Sequence, residues 1–267
     1  MLPLSAARLA LAPVLLVQGR RVRRVALKLP EADGPRAGVS RAPGAVGDAP
    51  ALRLLILGDS SAAGVGAGLQ DQALSGRLLA ALHARGVPRI AWRLEARTGW
   101  AAADALAHVS RLPAEDADLV LCVLGVNDVT ADQPVQRWLR TLGALDARLH
   151  AQAPSARVAW SGLPPMHRFP LLPQPLRWYL GERARRFDAA LARWCGQAPH
   201  RLHLAMVDIE RGSPGAGLMA EDGFHPGPAG CRLWADGLAD ALVGAGVGAR
   251  GAEAAPGSPL FRSECPP

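Results

Sequence analysis

Apolar and polar positions follow two rhythms along this chain. Short apolar runs recur at Arg53–Leu57, Arg89–Ala96, Asp118–Leu124, Arg157–Gly162 and His203–Asp208, and runs such as DLVLCVLG are apolar on both faces, as strands covered by helices on each side require. Between them, apolar residues return every three or four positions near Leu69–Arg85, Gly99–Arg111, Pro134–Ala151 and Pro175–Cys195, and again near Pro228–Val243. That is the spacing of amphipathic helices. Five strands alternating with helices predict an α/β fold, a mostly parallel five-stranded sheet inside a three-layer α/β/α sandwich. The stretch EADGPRAGVSRAPGAVGDAP, Glu31 to Pro50, has neither rhythm and reads as a linker. The pattern thus divides the chain into an N-terminal segment (1–50), one folded domain (51–245) and a C-terminal tail (246–267) expected to be flexible.

In parallel sheets, ligands bind beyond the carboxyl ends of the strands. The predicted strands end in Gly58-Asp59-Ser60-Ser61, Arg97-Thr98-Gly99-Trp100, Gly125-Val126-Asn127-Asp128 and Gly162-Leu163-Pro164-Pro165-Met166-His167. After the fifth comes a glycine-rich loop and then Asp222-Gly223-Phe224-His225-Pro226, just before the last helix. Acyl transfer needs a nucleophile, a base, a group that orients the base and donors for an oxyanion. This rim contains all four. Ser60, at a strand-to-helix turn, is the nucleophile candidate, its oxyanion favoured by a helix N-terminus. His225 is the candidate base and Asp222 its orienter, while the N–H groups of Ser60 and Gly99 and the amide of Asn127 are candidate oxyanion donors. A histidine base predicts activity that is higher above neutrality than in acid.

Charge changes the picture at one end only. The first fifty residues carry eight Lys or Arg against three acids, +5 of the net +7, so the remainder is nearly neutral. No basic surface interleaved with aromatics is present, which argues against nucleic acid as a partner. Cys122, Cys195, Cys231 and Cys265 show no paired metal-ligand spacing, so no metal site is expected. A phosphate cradle is excluded as well, because the glycines after Ser60 match neither nucleotide-binding pattern and no lysine lies near them.

Residues 2–17 are apolar apart from Ser5 and Arg8 and lead into QGRRVRR. The segment is short for a spanning helix, and its charges lie on the wrong side for a cleavable signal. An apolar stretch beside arginines suits an anionic membrane surface. Cytoplasmic or membrane-associated placement is therefore favoured over secretion, and the oligomeric state is left open.

Gly58-Asp59-Ser60 with Ala62-Ala63-Gly64, then Gly99, then Gly125-Val126-Asn127-Asp128, then Asp222-Gly223-Phe224-His225-Pro226, resemble the four blocks of the SGNH hydrolases, also called GDSL-type esterases and lipases. The resemblance covers about residues 52–243. It implies a flavodoxin-like fold, no metal or organic cofactor, and hydrolysis of a small-molecule ester through an acyl-enzyme. The same roles are implied for Ser60, His225, Asp222, Gly99 and Asn127. Ser61 departs from the pattern, standing where the family's short name has Leu. Trp100, beside the oxyanion glycine, and His167, in the proline-rich loop after strand four, are candidate substrate contacts. Short to medium acyl esters are favoured. The alternatives are a thioesterase or carbohydrate deacetylase of the same fold, or a catalytically silent binding module at a membrane.

Overall fold

A computed structural model describes residues 4–47, 49–206 and 217–248. Cys265 and nearly all of the expected C-terminal tail lie outside the described residues. The sheet has six strands in the order β1 (Ala37–Arg41), β3 (Arg89–Ala96), β2 (Leu52–Gly58), β4 (Leu119–Val123), β5 (Arg157–Ser161) and β6 (Arg201–Leu204). All neighbours are parallel except β1, which runs antiparallel to β3 with Ala37 opposite Arg93 and Arg41 opposite Arg89. The expected α/β/α architecture is present, with one strand more than predicted. Every residue of β4 is buried, the double-sided burial that its unbroken apolar run encodes.

Helices cover both faces. On one face α2 (Leu74–Ala84) packs on α7 (Pro228–Gly244), and Leu74, Leu78, Leu82, Leu238 and Leu242 form the core with β2 and β3. On the other lie α3 (Ala102–Val109), the short α4 (Val126–Thr130), α5 (Val135–Gln152) and α6 (Leu176–Cys195), with the Trp138 and Phe187 rings 4.8 Å apart at the centre. Cys122, Cys195 and Cys231 are free and buried. Burial pushes all three thiols up, Cys195 to about 12 and Cys231 to about 11, so they act as small apolar residues.

After the edge strand β1, the chain runs through the central β2, adds β3 on one side and crosses to add β4 on the other. That reversal opens a crevice at the carboxyl edge between β2 and β4, where the loops carrying Ser60 and Asn127 emerge.

The linker expectation for 31–50 is corrected. This segment contributes β1, and Ala32 and Asp33 are tied to the loop after β2: Ala32 N–H donates to the Ala63 carbonyl at 3.2 Å, and Gln70 N–H to the Asp33 carbonyl at 2.7 Å. An edge strand with one open side needs no apolar alternation, which is why the hydropathy pattern does not mark it. Residues 4–17 likewise belong to a long element, α1 (Leu4–Val25), packed on α6. Among the described residues, no helix is long and apolar enough to cross a membrane.

Candidate active site

β2 delivers Ser60 to the carboxyl edge on a tight turn, in which the Asp59 carbonyl accepts the Ala63 N–H at 2.9 Å and the Ser60 carbonyl the Val65 N–H at 3.0 Å. The expected helix N-terminus at Ser60 is corrected, because α2 begins only at Leu74. Gly66 explains the glycines that follow. Its φ is +98°, and a Cβ there would lie 2.6 Å from the Pro226 carbonyl oxygen and 3.4 Å from the His225 Cβ, so only glycine lets this loop pass so close to the histidine.

His225 comes from a small hairpin closed by the antiparallel bridge Met219–Pro226 and by the Ala220 N–H donating to the His225 carbonyl at 2.8 Å. Asp222 is buried at its tip. One carboxylate oxygen accepts the backbone N–H groups of Phe224 (2.9 Å) and His225 (3.0 Å), while the other faces His225 Nδ1 at 2.6 Å. Burial pushes the Asp222 carboxyl up, but the His225 ring and the two N–H donors outweigh it and hold it below the ordinary aspartate value. A carboxylate only accepts, so Nδ1 must carry the proton. Nε2 of the neutral ring is then the acceptor, and it lies 2.8 Å from Ser60 Oγ, which donates to it. Ser60 is 8% exposed, and Oγ, imidazole and carboxylate form one continuous line.

The oxyanion candidates sit at three adjacent strand ends. Among the described residues, neither the Ser60 N–H nor the Gly99 N–H donates to a protein acceptor. Asn127 gives one amide hydrogen to the Trp100 carbonyl at 2.9 Å and keeps the other. Its neighbour Asp128 accepts the Ala102 N–H at 3.1 Å and the Gln133 amide, so this pair docks the loop after β3. On the far side of that loop, Glu31 accepts both the Thr98 N–H (2.7 Å) and its hydroxyl (2.8 Å). Sequence reasoning missed Glu31, a single acid in a Gly/Pro/Ala-rich stretch whose part is visible only in tertiary contact.

The side chains of two sequence candidates lie outside the wall of the large cleft. Trp100 stacks at 4.7 Å on His108, and His167 lies exposed on a 3₁₀ turn (Met166–Arg168) backed against Gly181. Neither lines the cleft that reaches Asn127, Asp222 and His225, a space of about 720 Å³ walled by α1 and α6. Ser61 lines a separate cavity of about 60 Å³ beneath the rim, and its N–H donates to Asp59 at 3.0 Å.

Residues 56–233 match the profile of the GDSL-like lipase/acylhydrolase family, more than half of the chain. The chain belongs to that family. It is an ester-hydrolysing enzyme. A search of curated protein sequences finds no match. Among solved structures, this GDSL hydrolase is similar to TesA (22% identity, TM-score 0.55, 72% of this chain and 99% of that one). It is also similar to a psychrotrophic esterase, EstA from Pseudoalteromonas sp., in a structure inhibited by monoethylphosphonate (22%, 0.53, 72% and 97%). A third is a Clostridium thermocellum family 3 carbohydrate esterase (15%, 0.56, 72% and 96%). At these identities the likeness establishes the shared fold. The matched region leaves out β1, α1 and Glu31, and of these α1 walls the cleft and Glu31 holds the loop that carries Gly99.

Beneath the GDSL site lie two buried carboxyls. Burial pushes Asp59 up, and the nearby Asp128 charge adds to this against the Ser61 N–H, leaving it at about 7. Burial also raises Asp128, opposed by the Ala102 N–H and Gln133, to about 6. Both lie above the value of about 3.9 for an exposed aspartate, so in mild acid the folded enzyme binds more protons than the unfolded chain. The stability this confers is fully present below about pH 4 and is lost as pH rises through about 6 to 7. Asp59→Asn keeps the acceptor for Ser61 and removes one of these titrations. Its Tm is therefore expected to fall less than that of the wild type between mild acid and mild alkali, and equal slopes in a thermal-shift series would contradict this account.

Proposed function

We propose that this enzyme cleaves carboxylic esters of short to medium acyl chains through an acyl-enzyme on Ser60. The observation that carries the reading is the Ser60–His225–Asp222 line, 2.8 and 2.6 Å long, opening on an apolar-walled cleft at the switch point of the sheet. Ser60 Oγ attacks the acyl carbonyl carbon as its proton passes to His225 Nε2. The resulting oxyanion is met by the Ser60 and Gly99 N–H groups and the free Asn127 hydrogen. Collapse breaks the carbon–oxygen bond to the alcohol, which takes the proton from His225. Water then repeats the sequence and frees the acid and Ser60. Asp222, held ionised, keeps the imidazole in the tautomer that accepts from serine and stabilises its cation. A panel of p-nitrophenyl acetate, butyrate, octanoate and palmitate tests this reading. Turnover of the first three with a decline at palmitate supports it, and turnover of none overturns it.

We further propose that α1 lies on an anionic membrane surface. Leu9, Leu16 and Val17 are exposed on it by 79, 59 and 65%, and Arg20, Arg21, Arg23 and Arg24 follow in its last turns. The protein is expected to co-sediment with vesicles containing phosphatidylserine and much less with phosphatidylcholine vesicles. Equal sedimentation with both would remove the arginines from the account.

A further inference from the structure

The cleft of about 720 Å³ beside His225 is bounded by an element outside the family match. Ala12, Leu15 and Gly19 of α1 face Leu172, Leu176 and Leu180 from the loop after β5 and from α6 across it, and its inner end reaches Asn127, Asp222 and His225. α1 is stapled in this position. Arg8 pairs with Asp132 at 2.7 Å, and Gln18 donates to the Gln174 carbonyl (2.7 Å) while accepting the Leu176 N–H (3.1 Å). Asp132 in turn accepts from the Tyr179 hydroxyl at 2.8 Å and pairs with Arg183 at 3.0 Å, so the staple is anchored in α6. It adopts φ +57°, a conformation that non-glycine residues seldom take and that these contacts hold in place.

Gly19 is the informative residue. It sits inside a helix, where glycine costs about 0.5–1 kcal/mol relative to alanine, yet nothing approaches it closely: a Cβ there would meet only the tip of Arg23, at 3.9 Å. No packing demand explains the absence of a side chain. What the absence provides is open space on the cleft side of α1. The facing residues between α1 and α6 are aliphatic, with Arg8, Arg23, Asp132 and Tyr179 also on the wall, the inner end meets the reacting groups, and the open middle is set by a glycine and an alanine two helical turns apart.

We propose that α1 forms the acyl-chain wall of the active site, and that the substrate's acyl group lies between α1 and α6 with its carbonyl at Ser60. The inference rests on the reading of Ser60 as nucleophile and gives the chain its place. A larger residue at position 19 or 12 shortens the groove without touching the reacting groups.

The test combines turnover with binding. In Gly19→Leu, and independently in Ala12→Phe, kcat/KM for p-nitrophenyl octanoate is expected to fall about tenfold or more, with acetate held within about twofold. Circular dichroism would report whether each variant keeps its helix. Octanoate binding, followed by calorimetry in Ser60→Ala and in Ser60→Ala with Gly19→Leu, reads the groove without catalysis and should weaken about tenfold in the double variant. An unchanged chain-length profile in both folded variants, or octanoate binding that is absent or indifferent to Gly19, overturns the proposal. Gly19-dependent octanoate binding in a protein that hydrolyses no ester would instead keep the groove and reject the hydrolytic reading.

Discussion

Ser60→Ala is expected to lower kcat/KM for p-nitrophenyl butyrate by about 10⁴-fold or more, while Ser61→Ala stays within about tenfold of the parent. The two hydroxyls are adjacent in sequence and face different surroundings. Ser60 Oγ donates to His225 Nε2 at 2.8 Å, and His225 borders the inner end of the large cleft. Ser61 lines the small cavity beneath, and its contribution to the turn is a backbone N–H given to Asp59, which alanine also supplies. Removing the Ser60 hydroxyl leaves the oxyanion donors and the cleft in place, so substrate binding should survive in the variant. Loss of turnover in Ser61→Ala with turnover kept in Ser60→Ala would reverse the assignment.

Asp222→Asn should be nearly as damaging, about 10⁴-fold in kcat, although it changes one atom. An amide nitrogen facing Nδ1 donates to it, which moves the ring proton to Nε2 and removes the acceptor for the Ser60 hydroxyl. The alternative orientation, amide oxygen toward Nδ1, restores the tautomer but turns the amide nitrogen toward the Phe224 and His225 N–H groups, two donors that now meet a donor. It also leaves no negative charge beside the imidazolium formed during turnover. Rates of butyrate hydrolysis for the variant and the parent check this, and a loss below about tenfold would mean that Asp222 shapes the hairpin without directing the histidine.

The sheet was legible because its central strands are buried on both faces, so the Leu54–Leu57 and Leu119–Val123 runs needed no tertiary information. The line of site residues was legible for a related reason, since in a parallel sheet the residues just after strands converge wherever they lie in the chain. What could not be read were groups whose importance is purely tertiary. β1 is a half-exposed edge strand with no pattern to detect, and Glu31 gains its place by meeting Thr98 across 67 positions of sequence. Trp100 was misplaced because adjacency to Gly99 says nothing about which way an indole turns, and here it packs on His108. For α1 the apolar residues and arginines suggested a surface, and only the packed structure reveals that its other side walls the cleft.

The most direct test of the central claim is labelling of the full-length protein with a serine-directed fluorophosphonate, followed by peptide mapping of the adduct. Such reagents report a serine activated by its neighbours. One adduct per chain is expected, on Ser60, formed faster above neutrality than in acid and abolished in His225→Ala. Labelling on Ser61, or ester turnover by a protein that takes no label, would contradict it.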